Sequence, residues 1–339
     1  MIDVRSASGY RWLLVCLVAG LLASCVLALA FGPAAVPLPQ VAGILGEQLG
    51  IDLPVEWTPN QAHIIWLIRA PRVLLGALAG AGLALVGTAL QAVTRNPLAD
   101  PHLLGVSSGA ALGAVLVMLY LGDFIGVFSL PLAAFAGAAG SMLLVIAVAR
   151  RADRLDSDRL LLAGVAVSFV MMATVNLLLY TGDPHAAASV VFWMLGGLGS
   201  ARWELIWLPT LAVLAGLAAL IVMGRGLNAL MAGEQTAVSL GVNAKRLRLL
   251  VFLCTSLLTG VLVSLCGAIG FVGLMVPHMA RALTGADHRR LIPVSALLGG
   301  IFLVWVDVAA RTLLAPQDLP IGIATAALGG VFFILLLRR

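Results

Sequence analysis

The chain has 339 residues, 62% hydrophobic and 10% charged, with a formal net charge of +5 at pH 7 and a mean hydropathy of +1.10. An ordinary soluble domain carries about 25% charged residues, so this composition excludes a water-soluble enzyme of this size, and its apolarity excludes disorder. Most of this surface faces lipid, where only helices or closed barrels satisfy their own backbone.

Apolar runs of about 20 residues, enough to cross a bilayer as a helix, begin at 12–31. That first run follows a basic start and contains Ala28-Leu29-Ala30, a sequence that a signal peptidase could cut. Its length exceeds the roughly 7–15 residues of a signal h-region, so we read it as a retained helix. The next runs are 73–93, 103–121, 124–149, 160–181 and 204–223. In the second, Gly76 and Gly80 form a G-x-x-x-G followed by Gly82 and Gly87. Small residues let helix backbones approach closely in lipid, which places this helix inside a bundle.

The run 249–280 is 32 residues long. As one straight helix it would measure about 48 Å, against a hydrocarbon core of about 30 Å. Gly267, Gly270, Gly273 and Pro277 interrupt it, and the run is expected to divide into helices at 249–266 and 271–283. Runs at 292–312 and 319–337 complete ten expected spans. With the N-terminus inside, the outer side holds only Arg69, Arg72, Arg202 and Arg311, and the other sixteen of the twenty Lys and Arg fall inside. This asymmetry obeys the positive-inside rule and sets both termini in the cytoplasm. It also explains the basic balance without nucleic acid.

Four polar stretches separate these runs. Arg69-Ala70-Pro71-Arg72 lies at the outer mouth of the second span, where arginines can snorkel or form a cationic patch for an acidic partner. Thr94 to Pro101 is bracketed by Pro97 and Pro101, which stop a helix. Leu155-Asp156-Ser157-Asp158-Arg159 opens the fifth span with residues suited to capping. The inner segment 224–248 is helical in pattern yet too polar to span. It fits a helix lying at the interface or a cytoplasmic helix pair that meets another protein, with Gly233 and Gly241 as helix ends.

No catalytic or metal-binding constellation is legible. The four cysteines sit in apolar runs without a Cys-x-x-Cys pair, and the five histidines are scattered. Lys245 is the only lysine, preceded by Ala244 and followed by Arg246, so the phosphate-binding motif G-x-x-x-x-G-K-[ST] is absent. Asp307 is the only acidic residue well inside a span. Intramembrane carboxylates point to function by default; here Arg311 stands four residues on, on the same helix face. An internal ion pair near the outer interface is the expected reading, and proton coupling, as in a secondary transporter, is the alternative.

Arg69-x-Pro71-Arg72, Gln91-x-x-x-Arg95-Asn96-Pro97-Leu98-Ala99-Asp100-Pro101-x-Leu103-Leu104-Gly105-Val106-Ser107-Ser108-Gly109-Ala110, Gly267-Ala268-Ile269-Gly270-Phe271-Val272-Gly273-Leu274-x-x-Pro277-His278 and Leu319-Pro320-Ile321-Gly322 together resemble the FecCD family of ABC importer permeases. The resemblance runs from about residue 64 to the end. It implies an all-α integral membrane protein with about ten transmembrane helices, the type II importer permease fold, as a single domain over 1–339. It implies a bacterial cytoplasmic (inner) membrane location and a metal-chelate cargo, with ferric siderophore the leading expectation and haem or cobalamin the alternatives. The implied partners are a second permease subunit, identical or paralogous, two ATPase subunits that bind ATP and Mg²⁺, and a substrate-binding protein. No cofactor or metal is expected in this chain.

Residue by residue, the resemblance assigns Arg69, Arg72 and Arg311 to docking of the binding protein. It assigns Asn96, Leu98, Ser157 and Asp158 to the cytoplasmic gate, with Asp158 departing from the smaller hydroxyl residue that can stand there. Ala232, Gly233 and Glu234 match the coupling helix that enters the ATPase cleft.

Overall fold

The computed structural model describes residues 6–100, 105–150 and 157–337; the side chains of Arg150, Ser157, Asp158 and Leu337 also lie outside the described set. Among the described residues every regular element is helical. The order is α1 (Ala7–Ala30), α2 (Leu38–Gln48), α3 (Pro59–His63), α4 (Ala70–Thr94), α5 (Val106–Leu116), α6 (Ser129–Arg150), α7 (Ser157–Thr181) and α8 (Pro184–Met194). Then follow α9 (Trp203–Met231), α10 (Glu234–Ser239), α11 (Ala244–Cys266), α12 (Val272–Thr284), α13 (His288–Thr312) and α14 (Ile321–Leu337). Among the described residues, seven helical segments are long and apolar enough to cross a membrane, and two shorter apolar ones lie at Val106–Leu121 and Ile321–Leu336.

The bundle is organised around α4, which packs against α13, α9, α11 and α12. Its glycines explain how. A Cβ on Gly80 would strike the backbone carbonyl of Gly299 in α13, and one on Gly87 would strike Gly273 in α12. Without side chains at these points, backbone meets backbone and van der Waals contact replaces the hydrophobic drive that lipid does not supply. α1 packs on α13 at the edge, while α5, α6 and α7 form a second group joined to α4 through α11.

Each of the ten expected spans overlaps a described helix, and the division of 249–280 is the expected one, although its second part, α12, has 13 residues and is not among the helices long enough to cross a membrane. α11 ends at Cys266, Gly267 takes φ 66°, and α12 starts after Phe271 at φ 67°. Several boundaries differ. The second run was set to begin at 73, but helix continues unbroken from Pro59 to Thr94, through a π-helical stretch at Ile64–Arg69. Hydropathy stops at the arginines; the helix does not, because both guanidiniums find partners inside the chain. Likewise α9 runs on to Met231 and α11 starts at Ala244, so the segment 224–248 contains only one short helix of its own, α10. The start of the third run, at 103–104, falls outside the described residues.

Two helices escaped the hydropathy pattern. α2 and α8 are each 11 residues long, half the length the pattern seeks. Their starts were nonetheless written in the sequence: α2 has Pro39 in its first turn after Pro37, and α8 has Asp183 as N-cap followed by Pro184, both favoured helix openings.

Helix direction gathers the described cations into two groups. Arg11, Arg95, Arg159, Arg225, Lys245, Arg246, Arg248, Arg281, Arg289 and Arg290 lie at one end of the bundle, and Arg69, Arg72, Arg202 and Arg311 at the other.

Candidate functional site

At the end holding four arginines, α4 and α13 meet in a charged cluster. Arg72 Nε donates to Asp307 Oδ1 at 2.9 Å, and its Nη1 donates to Asp318 Oδ2 at 2.6 Å. Arg311 Nε stands 3.5 Å from Asp307 Oδ2, so the expected i,i+4 pair on α13 is present. The tighter partner of Asp307 is Arg72, 235 positions away in the chain, which no local spacing could reveal. Asp318, in the loop before α14, is the member of the cluster that the sequence did not single out.

Arg69 and Arg311 are placed differently from the exposed patch expected of them. They are only 4% and 2% exposed. Arg69 Nη1 donates to the carbonyl of Leu29 at 2.7 Å, and Nη2 donates to that of Ala34. Arg311 Nη2 donates to the carbonyl of Ala28 at 2.7 Å. Ala28 and Leu29 belong to the last turn of α1, whose carbonyls have no partner within the helix. Two arginines from distant segments therefore close the C-terminal end of α1, a role long cationic side chains fill well. Arg72 lies nearest the surface of the three and lines a cavity of about 160 Å³ beside Gly197, Gly199 and Asp318.

The other end of the bundle carries the segments expected to form a gate and a coupling element. Arg95 closes α4 in the left-handed conformation, φ 51°. Asn96 Oδ1 then accepts from the Leu98 N–H at 2.9 Å, a side-chain turn typical of Asn. That turn holds the Leu98 side chain outward, 56% exposed. Ser157 and Asp158 fall in the first turn of α7, and their side chains lie outside the described residues.

Ala232 and Gly233 connect α9 to α10. Gly233 has φ 122° and ψ 155°, a region open to glycine alone, so the sharp turn into α10 depends on it. Glu234 opens α10 and receives two bonds from the buried Arg248 of α11, at 3.2 and 3.0 Å. α10 buries Ala237 but leaves Val238 exposed, with Met231 before it and Leu240 after it exposed as well. An anchored short helix with an apolar outer face is suited to contact another protein.

Two further links tie this end together. The Gln91 side chain of α4 donates to the Gly273 carbonyl at 3.0 Å and accepts from Arg281 of α12. Asn228 of α9 donates to Asp287 at 2.7 Å and accepts from the His288 backbone at 2.9 Å. The second link joins the turn preceding α10 to the start of α13, whose far end holds Asp307 and Arg311.

The hydrogen bond from Arg248 is the main reason the Glu234 carboxyl lies below its ordinary value. A depressed carboxylate contributes its anchoring above the ordinary range, near pH 4.3, and loses it as pH falls through the folded value. The protection of the α10 amides, taken as the ratio of the intrinsic to the observed exchange rate at each pH, is therefore expected to be full at pH 7 and to fall as the Glu234 carboxylate is protonated, below about pH 4. Glu234→Gln should show the low protection throughout; protection in the parent chain that does not change with pH would remove the anchoring role.

Residues 20–339 match the sequence model of the FecCD transport family. Among curated proteins, the chain is 40% identical over 279 residues to the hemin transport system permease protein HmuU of Yersinia pestis, covering 81% of this chain and 83% of that one. It is 42% identical over 281 residues to the cobalamin import system permease protein BtuC of Halobacterium salinarum, covering 83% and 75%. Among solved structures, an ABC transporter described as metal-chelate type, in an inward-facing conformation, superposes with a TM-score of 0.84 at 32% identity, covering 97% of this chain and 99% of that one.

Proposed function

Because this chain belongs to the FecCD transport family, we propose that it is the membrane permease subunit of an ATP-driven importer that carries a metal chelate, ferric siderophore in the first instance, across the bacterial cytoplasmic membrane. The observation that carries this reading is the pair of partner-facing features at opposite ends of one all-helical bundle. One end has the Arg72 cavity and its acidic and basic neighbours. The other has the anchored α10 and the outward Leu98. A stand-alone carrier has use for neither.

In this reading both termini are cytoplasmic, and a loaded substrate-binding protein docks at the arginine cluster, with Arg72 making the contact and Arg69 and Arg311 contributing positive charge behind it. Two ATPase subunits, which bind ATP and Mg²⁺, engage Ala232, Gly233, Glu234 and the apolar face of α10. Their closure moves α10, and Asn228 passes that movement to α13. The turn at Asn96 and Leu98, with Ser157 and Asp158, closes the cytoplasmic mouth. The cargo passes between this subunit and a second permease copy, identical or paralogous. Relatives named for hemin and for cobalamin make those two chelates the alternatives to a siderophore.

The decisive experiment is uptake into vesicles holding the permease, its ATPase and its binding protein. Uptake of ferric siderophore should require ATP inside the ATPase-facing compartment and survive collapse of ion gradients. Uptake that needs no ATPase and stops with the gradient would establish an ion-coupled carrier instead. Parallel trials with haem and cobalamin decide the cargo.

A further inference from the structure

The loop between α8 and α9 contains Gly196-Gly197-Leu198-Gly199, and it forms one wall of the cavity beside Arg72. Backbone bonds pin this loop: Gly197 N–H donates to the Cys266 carbonyl at 2.9 Å, and the Gly196 carbonyl accepts from Ile321 N–H at 3.0 Å. Gly196 needs its glycine, with φ 76° and a Cβ that would strike the Ala268 carbonyl. Gly197 and Gly199 do not. Neither has positive φ, and apart from the adjoining residues no atom of the described chain lies within 4 Å of where a Cβ would stand. Glycine costs stability wherever a side chain would be tolerated, and one remaining use of it is close approach by something else.

The floor of the same cavity holds Arg72, whose outer Nη1 is occupied by Asp318. Asp318 is 48% exposed while Arg72 is 12% exposed, so the carboxylate covers the guanidinium from the solvent side. The wider cluster contains three arginines (69, 72 and 311) and two aspartates (307 and 318), which leaves one positive charge in excess (3 − 2 = +1). The buried Asp307 holds the inner edge of Arg72, accepting from its Nε at 2.9 Å. Only the outer edge can change partners.

We infer that Asp318 is a resident stand-in for a carboxylate of the docking protein. An aspartate or glutamate side chain of the binding protein enters the cavity over Gly197 and Gly199, displaces Asp318 from Arg72 and takes its bond. The exchange keeps Arg72 paired in both states, so the guanidinium is never left without a counter-charge when the permease stands alone. It also makes docking weaker than an open arginine would, as suits a partner that must leave after each cycle. Phe192, exposed at the rim of the cavity, offers the aromatic contact that such interfaces favour.

This inference rests on the docking reading above, and the test separates the two. The permease complex in nanodiscs is titrated with the substrate-binding protein of the same transporter at about 0.1 M salt, where the Debye length is about 10 Å. Arg72→Glu, measured only in complexes that still assemble and keep the parent unfolding midpoint, and Arg72→Lys, which keeps a cation beside the buried Asp307, should each weaken docking, the first at least about tenfold; unchanged affinity in both would remove the docking reading itself. With that reading intact, Asp318→Asn should tighten docking about threefold or more, because the resident competitor is gone, and Gly199→Leu should weaken it about tenfold with an unchanged unfolding midpoint. Unchanged or weaker docking by Asp318→Asn, or full affinity in Gly199→Leu, overturns the exchange. Asp318→Ser is measured alongside and is judged by the same criteria.

Discussion

Asp307→Asn is expected to destabilise the folded chain by about 3–5 kcal/mol, the usual result of removing one partner from a buried ion pair. Asp307 is 1% exposed and lies between two guanidiniums, those of Arg72 and Arg311. Asparagine keeps the shape and a hydrogen-bond acceptor but removes the charge. Arg311 would then retain only the Ala28 carbonyl, with a second cation nearby and little access to water. The loss should also loosen α1, whose last turn is held by Arg311 and Arg69. Asp318→Asn supplies the contrast: its carboxylate is half exposed, and breaking such a pair costs about 0–1 kcal/mol. Unfolding midpoints in nanodiscs check both. Equal midpoints for Asp307→Asn and the parent chain would show that the carboxylate has no structural duty, and would return proton coupling to consideration.

The second large effect is expected at Gly80. Any side chain there meets the Gly299 carbonyl and the Leu303 Cβ, the latter at 2.7 Å, and neither is a flexible tip that can swing away. Gly80→Val must therefore push α4 from α13 along their main contact. Overpacking of this kind costs about 1–3 kcal/mol and sometimes more; for two backbones in contact at the centre of the bundle we expect about 3 kcal/mol or failure to assemble. Gly140 of α6 is the control, because nothing lies within 4 Å of its missing Cβ. Gly140→Ala should be neutral or stabilising by up to about 1 kcal/mol, the helix preference of alanine over glycine. Fluorescence-detected chromatography and thermal unfolding of the two variants measure the difference. Equal behaviour would mean that α4 and α13 do not pack as described.

The helical class, the nine apolar runs and the break at Gly267–Phe271 were legible from residue order. Each depends on local chemistry: apolar length, the positive-inside bias, and glycines that end or bend a helix. The family resemblance also lay in contiguous motifs, and the FecCD assignment over residues 20–339 agrees with it. α2 and α8 were missed because each has 11 residues, about half of what a scan for membrane spans of about 20 residues looks for. Their proline and aspartate openings were the available signal.

What only the tertiary structure decided is which charge faces which. Arg69, Arg72 and Arg311 share residue type and sidedness, and from sequence alone they form one docking patch. In the fold, Arg69 and Arg311 turn inward to the end of α1, while Arg72 stands between Asp307 and Asp318. Glu234 likewise looks like any acidic first-turn residue until Arg248 is brought against it. A charge in a low-dielectric bundle takes the partner that the packing of distant helices presents to it. That partner is set by three-dimensional position, so composition and spacing can say that these arginines matter but not what each one holds.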